Sequence, residues 1–188
     1  ELDKLVTFYL GKGAVAKNVL DVFHKCGFEY SVDYNKSFEN KLSTIVRKST
    51  IIDGNVDPLF SGENLASDSI IVCVEGVVES LGEIDPVLQW SIKNNKSVVI
   101  LANSFNPDVS NTLKANWDTK KLSVLPYIIN EEGLEIAKEI CKEVVSVETG
   151  LRLSNLELDT YDTRNLKLDA RGRLEVLYDA NEGNHDNV

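Results

Sequence analysis

Three apolar runs that alternate with helix-period segments occupy residues 69–145, and they constrain the fold more than any other feature of the chain. The runs are 69–74 (SIIVCV), 97–102 (SVVILA) and 122–129 (LSVLPYII), and their β-branched residues are typical of strands buried on both faces. After each run, apolar residues recur every three or four positions, which is the period of an amphipathic helix. This alternation predicts a parallel sheet covered by helices.

The helix-period segments also predict which side chains face the sheet. The expected inner faces are Ile84, Val87, Leu88, Ser91 and Ile92 in the first helix, Val109, Leu113 and Trp117 in the second, and Leu134, Ala137, Cys141 and Val144 in the third. The second helix has a clear start, because Asn106 suits the N-cap and Pro107 the first helical position.

The segments before and after this unit have different patterns. Upstream, we expect a strand at residues 5–10, a helix at about 14–25 and a strand at 28–32. Downstream, GLRLSNLELD (150–159) alternates with a period of two, and NLKLDARGRLEVLYD (165–179) predicts a hairpin that turns at Arg171-Gly172. The predicted fold class is therefore α/β, with a central parallel β-α-β unit flanked by β hairpins.

Composition excludes several classes of function. The chain has 30 acidic against 20 basic residues and a net charge of −10, which opposes binding to nucleic acid or to anionic membranes. Cys26, Cys73 and Cys141 lack CxxC spacing and the chain has only two histidines, so a disulfide framework and a metal site are not expected. Reduced, buried thiols predict a cytoplasmic protein. The chain contains no methionine, and we expect it to be a piece of a longer protein.

A glycine motif near the start of the chain offers one alternative reading. Gly11, Gly13 and Ala16 form G-x-G-x-x-A between a predicted strand and helix, and Asp33 follows Gly13 by 20 residues. That pattern is typical of dinucleotide-binding enzymes, in which the glycines admit a pyrophosphate and the acid binds a ribose. Residues 34–67 do not continue the βαβ pattern, so a structural turn is favoured. A dinucleotide-binding α/β enzyme domain remains the alternative.

No pattern in the chain predicts catalysis. The acidic stretches EIDP (83–86) and LELDTYD (156–162) have no partner histidine or cysteine, and they fit a solvated surface better. We therefore expect this chain not to be an enzyme and to hold neither a cofactor nor a metal.

Five segments, taken in order, carry a family resemblance: GNVDPLF (54–60), SDSIIVCVEGVVESLGEIDPVLQ (67–89), NKSVVILANSF (95–105), NPDVSNTLKANW (106–117) and the stretch 149–183. Their order and spacing resemble the apical domain of the group I (GroEL-like) chaperonins, in which Pro86-Val87-Leu88 would match a Leu-Pro-Val-Leu core. Residues 14–46 resemble the family's return from the intermediate domain. The glycine turn would then belong to that scaffold.

The resemblance implies an apical-like (swivelling β/β/α) fold and a division of the chain. Residues 1–46 would be a partial intermediate domain, 47–180 the apical domain and 181–188 a loose tail. The implied function is that of a molecular chaperone whose apical domain binds non-native polypeptides and a co-chaperonin. The full-length protein would be a homo-oligomeric ring that uses ATP and Mg²⁺, in the cytoplasm or, for a phage-encoded member, in the host cytoplasm. The family's ATP-binding segments fall outside this chain, so this fragment would hold no cofactor.

The resemblance also implies a polypeptide-binding groove between two helices, beside the 54–60 segment. The matching positions are Val56, Leu59, Phe60, Asp85, Leu88, Ser110, Lys114 and Asn116. Of these, Leu88 and Phe60 are the expected outward-facing anchors. Asp85, Ser110 and Lys114 stand where the family has apolar groove residues, which implies a divergent member with a more polar choice of clients.

Overall fold

The computed structural model describes residues 2–10, 13–26, 49–61, 65, 68–169 and 172–178. The chain divides into two compact units, residues 1–47 and 48–188. The described helices are α1 (Leu2–Leu10), α2 (Ala14–Cys26), α3 (Leu81–Asn94), α4 (Pro107–Asp118) and α5 (Glu131–Ile140). The described strands are β1 (Ser49–Ile52), β2 (Gly54–Val56), β3 (Ser69–Val78), β4 (Ser97–Phe105), β5 (Val124–Ile129), β6 (Val144–Val145), β7 (Asn165–Leu168) and β8 (Leu174–Leu177).

The first unit consists, in its described part, of the helices α1 and α2. The predicted strand at residues 5–10 is wrong, because α1 covers those residues. Its apolar residues at positions 2, 5, 6 and 9 also fit a helical period, and a short apolar run does not distinguish a strand from a helix. The predicted helix at 14–25 is confirmed by α2. The predicted strand at 28–32 lies outside the described residues.

The second unit is built on a five-stranded sheet in the order β2-β5-β4-β3-β6. Strands β5, β4, β3 and β6 run parallel, and β2 pairs with β5 in the antiparallel direction. The predicted succession of three strand–helix units is therefore confirmed. Ile71 pairs in register with Val99, which pairs with Leu125, and all three side chains are buried.

The order of the strands determines on which face of the sheet each helix lies. The chain passes from β3 to β4 to β5 in one direction, and right-handed crossovers therefore place α3 and α4 on the same face. From β5 the chain returns past β3 to β6, which places α5 on the opposite face. α3 and α4 thus lie side by side over the sheet.

A three-stranded antiparallel sheet, in the order β1-β8-β7, packs on the α5 side. The predicted hairpin at 165–179 is confirmed by β7 and β8, and Gly172 adopts a φ of +80° in its turn. Tyr127 of β5 joins the two sheets. Its hydroxyl donates to the Ile52 carbonyl at 2.9 Å and accepts from the Leu174 amide at 2.9 Å.

Two further predictions about the second unit are wrong. Residues 150–159 do not form an alternating strand but two 3₁₀ turns, Leu153–Asn155 and Leu158–Thr160, which bury one leucine each. The last helix ends at Ile140, so Val144 belongs to strand β6 rather than to a helical face. The apolar spacing was compatible with both structures, and pairing with β3 selects the strand.

Among the helices in the described ranges, none has both the length and the apolar character required to cross a bilayer.

Candidate functional site

One flank of α3 is covered by the 3₁₀ turns that follow β6. The Trp90 indole Nε1 donates to Asp159 Oδ1 at 2.7 Å, and α3 packs against the turn Leu153–Asn155. The inner face of the helix is formed by Ile84, Val87 and Ser91, all buried. Trp90 therefore lies on the side of α3 that faces away from α4.

The opposite flank of α3 faces α4. Successive residues of a helix are about 100° apart, so Leu88 lies about 200° around the axis from Trp90. Leu81 and Ile92 share that flank with Leu88 at the helical spacings of seven and four. Leu88 is half-buried, whereas the Ile92 side chain is 55% exposed. Asp85, on the outer part of the same flank, is exposed and accepts a hydrogen bond from Gln89 at 3.3 Å.

The two flanks of α4 also differ, because one packs against a 3₁₀ turn and the other faces α3. On one flank, Ser110 bonds Asp57, the residue that caps the 3₁₀ turn Pro58–Phe60, and Lys114 and Trp117 contact Phe60 of that turn. Thr112 and Asn116 lie on the other side of the helix and face α3. The Asn116 side chain is half-buried, and its Nδ2 donates to the Thr112 carbonyl at 2.9 Å.

The strand order places α3 and α4 side by side, and we call the region between their facing flanks the α3–α4 groove. It is lined by Leu81, Asp85, Leu88 and Ile92 from α3 and by Thr112 and Asn116 from α4. Its half-buried residues are two leucines from α3 and two polar residues from α4, and its exposed residues are Asp85 and Ile92. Such a surface suits a ligand that offers a short apolar segment together with backbone hydrogen-bonding groups.

A second group of residues joins α4 to the sheet edge, and we call it the Phe60 cluster. Asp57 is buried, and its carboxylate accepts from the Leu59 amide at 3.0 Å and from Ser110 Oγ at 2.7 Å. The Phe60 ring packs edge-on against Trp117, with centroids 5.6 Å apart. Lys114 Nζ lies 5.6 Å from the Phe60 ring centroid and 2.5 Å from Asp118 Oδ1.

The structure therefore separates the residues that the sequence assigned to one groove. Leu88, Asp85 and Asn116 line the α3–α4 groove, whereas Ser110 and Lys114 lie on the far flank of α4. The expectation that Phe60 faces outward is wrong, because its side chain is 0% exposed. It fills the space between the 3₁₀ turn and α4.

The two other predicted positions lie beside the Phe60 cluster. Val56 is half-buried in β2 and packs against the core. Leu59 projects from the 3₁₀ turn and is 44% exposed. Neither residue lies on the α3–α4 groove as defined above.

The helical spacing predicted that Ile92 faces the sheet, and this prediction is wrong because the side chain is largely exposed. A residue eight positions after Ile84 is rotated by about 80° from it, since eight steps exceed two full turns. This rotation can be calculated from the residue numbers alone. It placed Ile92 at the edge of the inner face, and only the position of α4 decides whether the edge is covered.

The described residues offer little that could hold a cofactor. They contain no group of three or more His, Cys, Asp or Glu side chains placed to bind a metal. A polar pocket of about 390 Å³ lies between the start of β2 and the end of β5, and Arg173 lines it. Arg173 is already paired with Asp169, with Nε and Nη2 each 2.8 Å from Oδ2.

The glycine motif lacks the context that dinucleotide binding requires. A helix, α1, precedes Gly13 where the dinucleotide pattern has a strand. Ala16 is buried in α2, and Gly11 and Asp33 lie outside the described residues. No protein-family model matches the chain.

Proposed function

We propose that the α3–α4 groove binds short apolar segments of non-native polypeptides, as the apical domain of a GroEL-like chaperonin would. The observation that carries this proposal is the exposure of Ile92 beside Leu88 on the flank that faces α4. Burial of apolar surface contributes roughly 25 cal/mol per Å² and has no directional requirement. A groove of this kind therefore tolerates many client sequences.

The exposed carboxylate at the groove adds a preference for certain clients. Asp85 is exposed, and the net charge of the chain is −10. Clients with basic residues next to an apolar segment are favoured, and their binding weakens as salt rises. The resemblance already implied a more polar choice of clients, because Asp85 stands where the family has an apolar groove residue.

The rest of the proposal rests on the resemblance. The apical-like fold and the assignment of residues 1–46, 47–180 and 181–188 to an intermediate-domain segment, an apical domain and a tail stay predictions. So do the co-chaperonin, the cytoplasmic location and the ATP- and Mg²⁺-dependent ring of the full-length protein. This chain would contribute client capture and not ATP hydrolysis.

The test measures binding of a reduced, denatured enzyme to the chain by fluorescence anisotropy. Leu88→Ser and Ile92→Ser should each weaken binding by about tenfold, because each removes on the order of 1.5 kcal/mol of apolar contact. Asp85→Leu should strengthen binding and reduce its salt dependence, since it removes a charge that opposes apolar contact.

Lys114→Val is the matched control. It also replaces a charge by an apolar residue on a neighbouring helix, but on the flank that faces away from α3. Client affinity should stay within about twofold of the wild type. Circular dichroism and the melting temperature identify variants that have lost their fold. Equal effects of Lys114→Val and Asp85→Leu, or wild-type affinity in a folded Ile92→Ser, would contradict the groove assignment.

A further inference from the structure

A polar pocket lies where the two sheets of the second unit join, and we call it the Arg173 pocket. Its volume is about 390 Å³, near the lower end of the range of about 300–1,000 Å³ in which small-molecule sites fall. It is lined by the segment 53–55, which connects β1 to β2, by the segment 128–130 at the end of β5, and by Arg173, which precedes β8. None of these residues belongs to the α3–α4 groove, so a ligand here is distinct from the proposed clients.

Close backbone contacts hold the walls of the Arg173 pocket in place. A Cβ atom at Gly54 would collide with the Ile128 carbonyl. One at Gly133 would collide with the Asp53 carbonyl. The chain around Asp53 is therefore packed directly against β5 and against the first turn of α5, where Asn130 Oδ1 accepts from the Gly133 amide at 2.8 Å. A ligand meets a site that is already ordered.

Two opposite charges line the pocket. Asp169 fixes the Arg173 guanidinium, because its Oδ2 accepts from Nε and Nη2, each at 2.8 Å. The remaining nitrogen, Nη1, lies 3.9 Å from Asp53 Oδ1, which is too far for a hydrogen bond. Nη1 and the Asp53 carboxylate are therefore placed for a ligand that offers an acceptor to the first and a donor to the second.

We propose that the Arg173 pocket binds a free α-amino acid with an aliphatic side chain. Its carboxylate accepts from Arg173 Nη1, and its ammonium donates to Asp53. These two groups stand on one carbon atom, so they can bridge a gap that is slightly longer than a hydrogen bond. The half-buried Ile128 offers an apolar surface to the aliphatic side chain.

The charges around the pocket disfavour a ligand that carries a single charge. A simple anion would meet Asp53, and also Glu131 and Glu132 at the start of α5. A simple cation would place a second positive charge beside the Arg173 guanidinium and leave Nη1 without an acceptor. A zwitterion presents each of its charges to the opposite charge of the pocket.

The test measures binding to the wild-type chain by titration calorimetry and by saturation-transfer NMR of the ligand. The probes are L-leucine and two analogues with the same carbon branching: isocaproate, which lacks the ammonium, and isoamylamine, which lacks the carboxylate. We expect saturable binding of L-leucine with a Kd of about 1 mM or below. Each analogue should bind about tenfold more weakly, because one of the two charged groups then has no partner.

Asp53→Asn keeps the shape of the pocket and removes its negative charge. It should weaken the binding of L-leucine by about tenfold and leave that of isocaproate unchanged or stronger. Asp162→Asn is the matched control, because it removes a carboxylate that lies 4.0 Å from the guanidinium of a different arginine, Arg164. Its affinity for L-leucine should equal that of the wild type, and circular dichroism shows whether both variants are folded.

Four results would each overturn the proposal. The first is no saturable binding of L-leucine, L-valine or L-alanine at concentrations far above the expected Kd. The second is equal affinity of the wild type for L-leucine and isocaproate. The others are wild-type affinity for L-leucine in a folded Asp53→Asn, and equal losses in Asp53→Asn and Asp162→Asn. The comparison of ligands uses the wild-type chain, so it decides the question even where a variant does not fold.

Discussion

Ser110 Oγ lies 2.7 Å from Asp57 Oδ2, and this hydrogen bond joins the middle of α4 to the edge of the five-stranded sheet. Both side chains are buried. The same carboxylate also accepts from the Leu59 amide, at the start of the 3₁₀ turn. Asp57 thus holds the turn and α4 together, which keeps one wall of the α3–α4 groove in place.

Ser110→Ala should lower the free energy of unfolding by about 1.5–3 kcal/mol, because it removes a donor from a buried carboxylate. The measurement is urea denaturation followed by circular dichroism. Asn111→Ala, one residue further along on the exposed face of α4, is the control and should be neutral or slightly stabilising. A double-mutant cycle with Asp57→Ala that gives no coupling energy would contradict the role assigned to this pair.

Phe60 and Leu59 are adjacent but should respond differently to truncation. Phe60→Ala removes a fully buried ring that packs against Trp117, and it should cost about 3–5 kcal/mol of unfolding free energy. Leu59→Ala removes a side chain that is largely in solvent and should change the unfolding free energy by less than about 1 kcal/mol. Chemical denaturation of the two variants is the measurement. Similar losses in both would mean that the 3₁₀ turn packs differently.

The sequence predicted an element correctly where its pattern fits only one type of secondary structure, and failed where the pattern fits two. The runs around Ile71 and Val99 are continuous and β-branched, so they predicted β3 and β4 correctly. The nine-residue run of α1 fits either period, and the sequence did not separate the two. The alternation through Leu153 and Leu158 suggested a strand, but 3₁₀ turns bury the same two leucines.

The candidate site was predicted less completely than the fold, for a related reason. Periodicity identified most residues of α3 and α4 that the sheet buries, but it also placed the exposed Ile92 among them and left out the buried Ser110. It did not show which neighbour covers each flank. Ser110 and Lys114 contact the 3₁₀ turn and its cap, and Trp90 contacts Asp159, because residues distant in sequence pack against those flanks. Such contacts have no periodic signature.

The chain should not bind NAD(H), NADP(H) or ATP. In the dinucleotide pattern the glycines follow a strand, and here Gly13 follows the helix α1. At millimolar nucleotide we expect no change in melting temperature and no heat in titration calorimetry. Gly13→Val provides the control for specificity. A melting shift in the wild type that this variant abolishes would restore the dinucleotide-binding alternative.

The stability of the second unit should fall at alkaline pH through Tyr127, which connects Ile52 to Leu174 across the two sheets. Burial raises the pKa of Tyr127 from about 10 to about 12, so between these values the unfolded chain loses a proton that the folded chain retains. The unfolding free energy should therefore decrease as pH rises from 10 to 12, by up to about 1.4 kcal/mol per pH unit from this group. Below pH 10 the group contributes no pH dependence.

Tyr127→Phe lacks the hydroxyl and should be less stable at pH 8 by about 1–3 kcal/mol, because the buried Ile52 carbonyl and Leu174 amide lose their partner. Urea denaturation of both proteins from pH 8 to 11.5 separates this contribution from that of the other tyrosines. The difference between wild type and variant should shrink above pH 10, and a constant difference across that range would show that Tyr127 does not titrate as its burial requires.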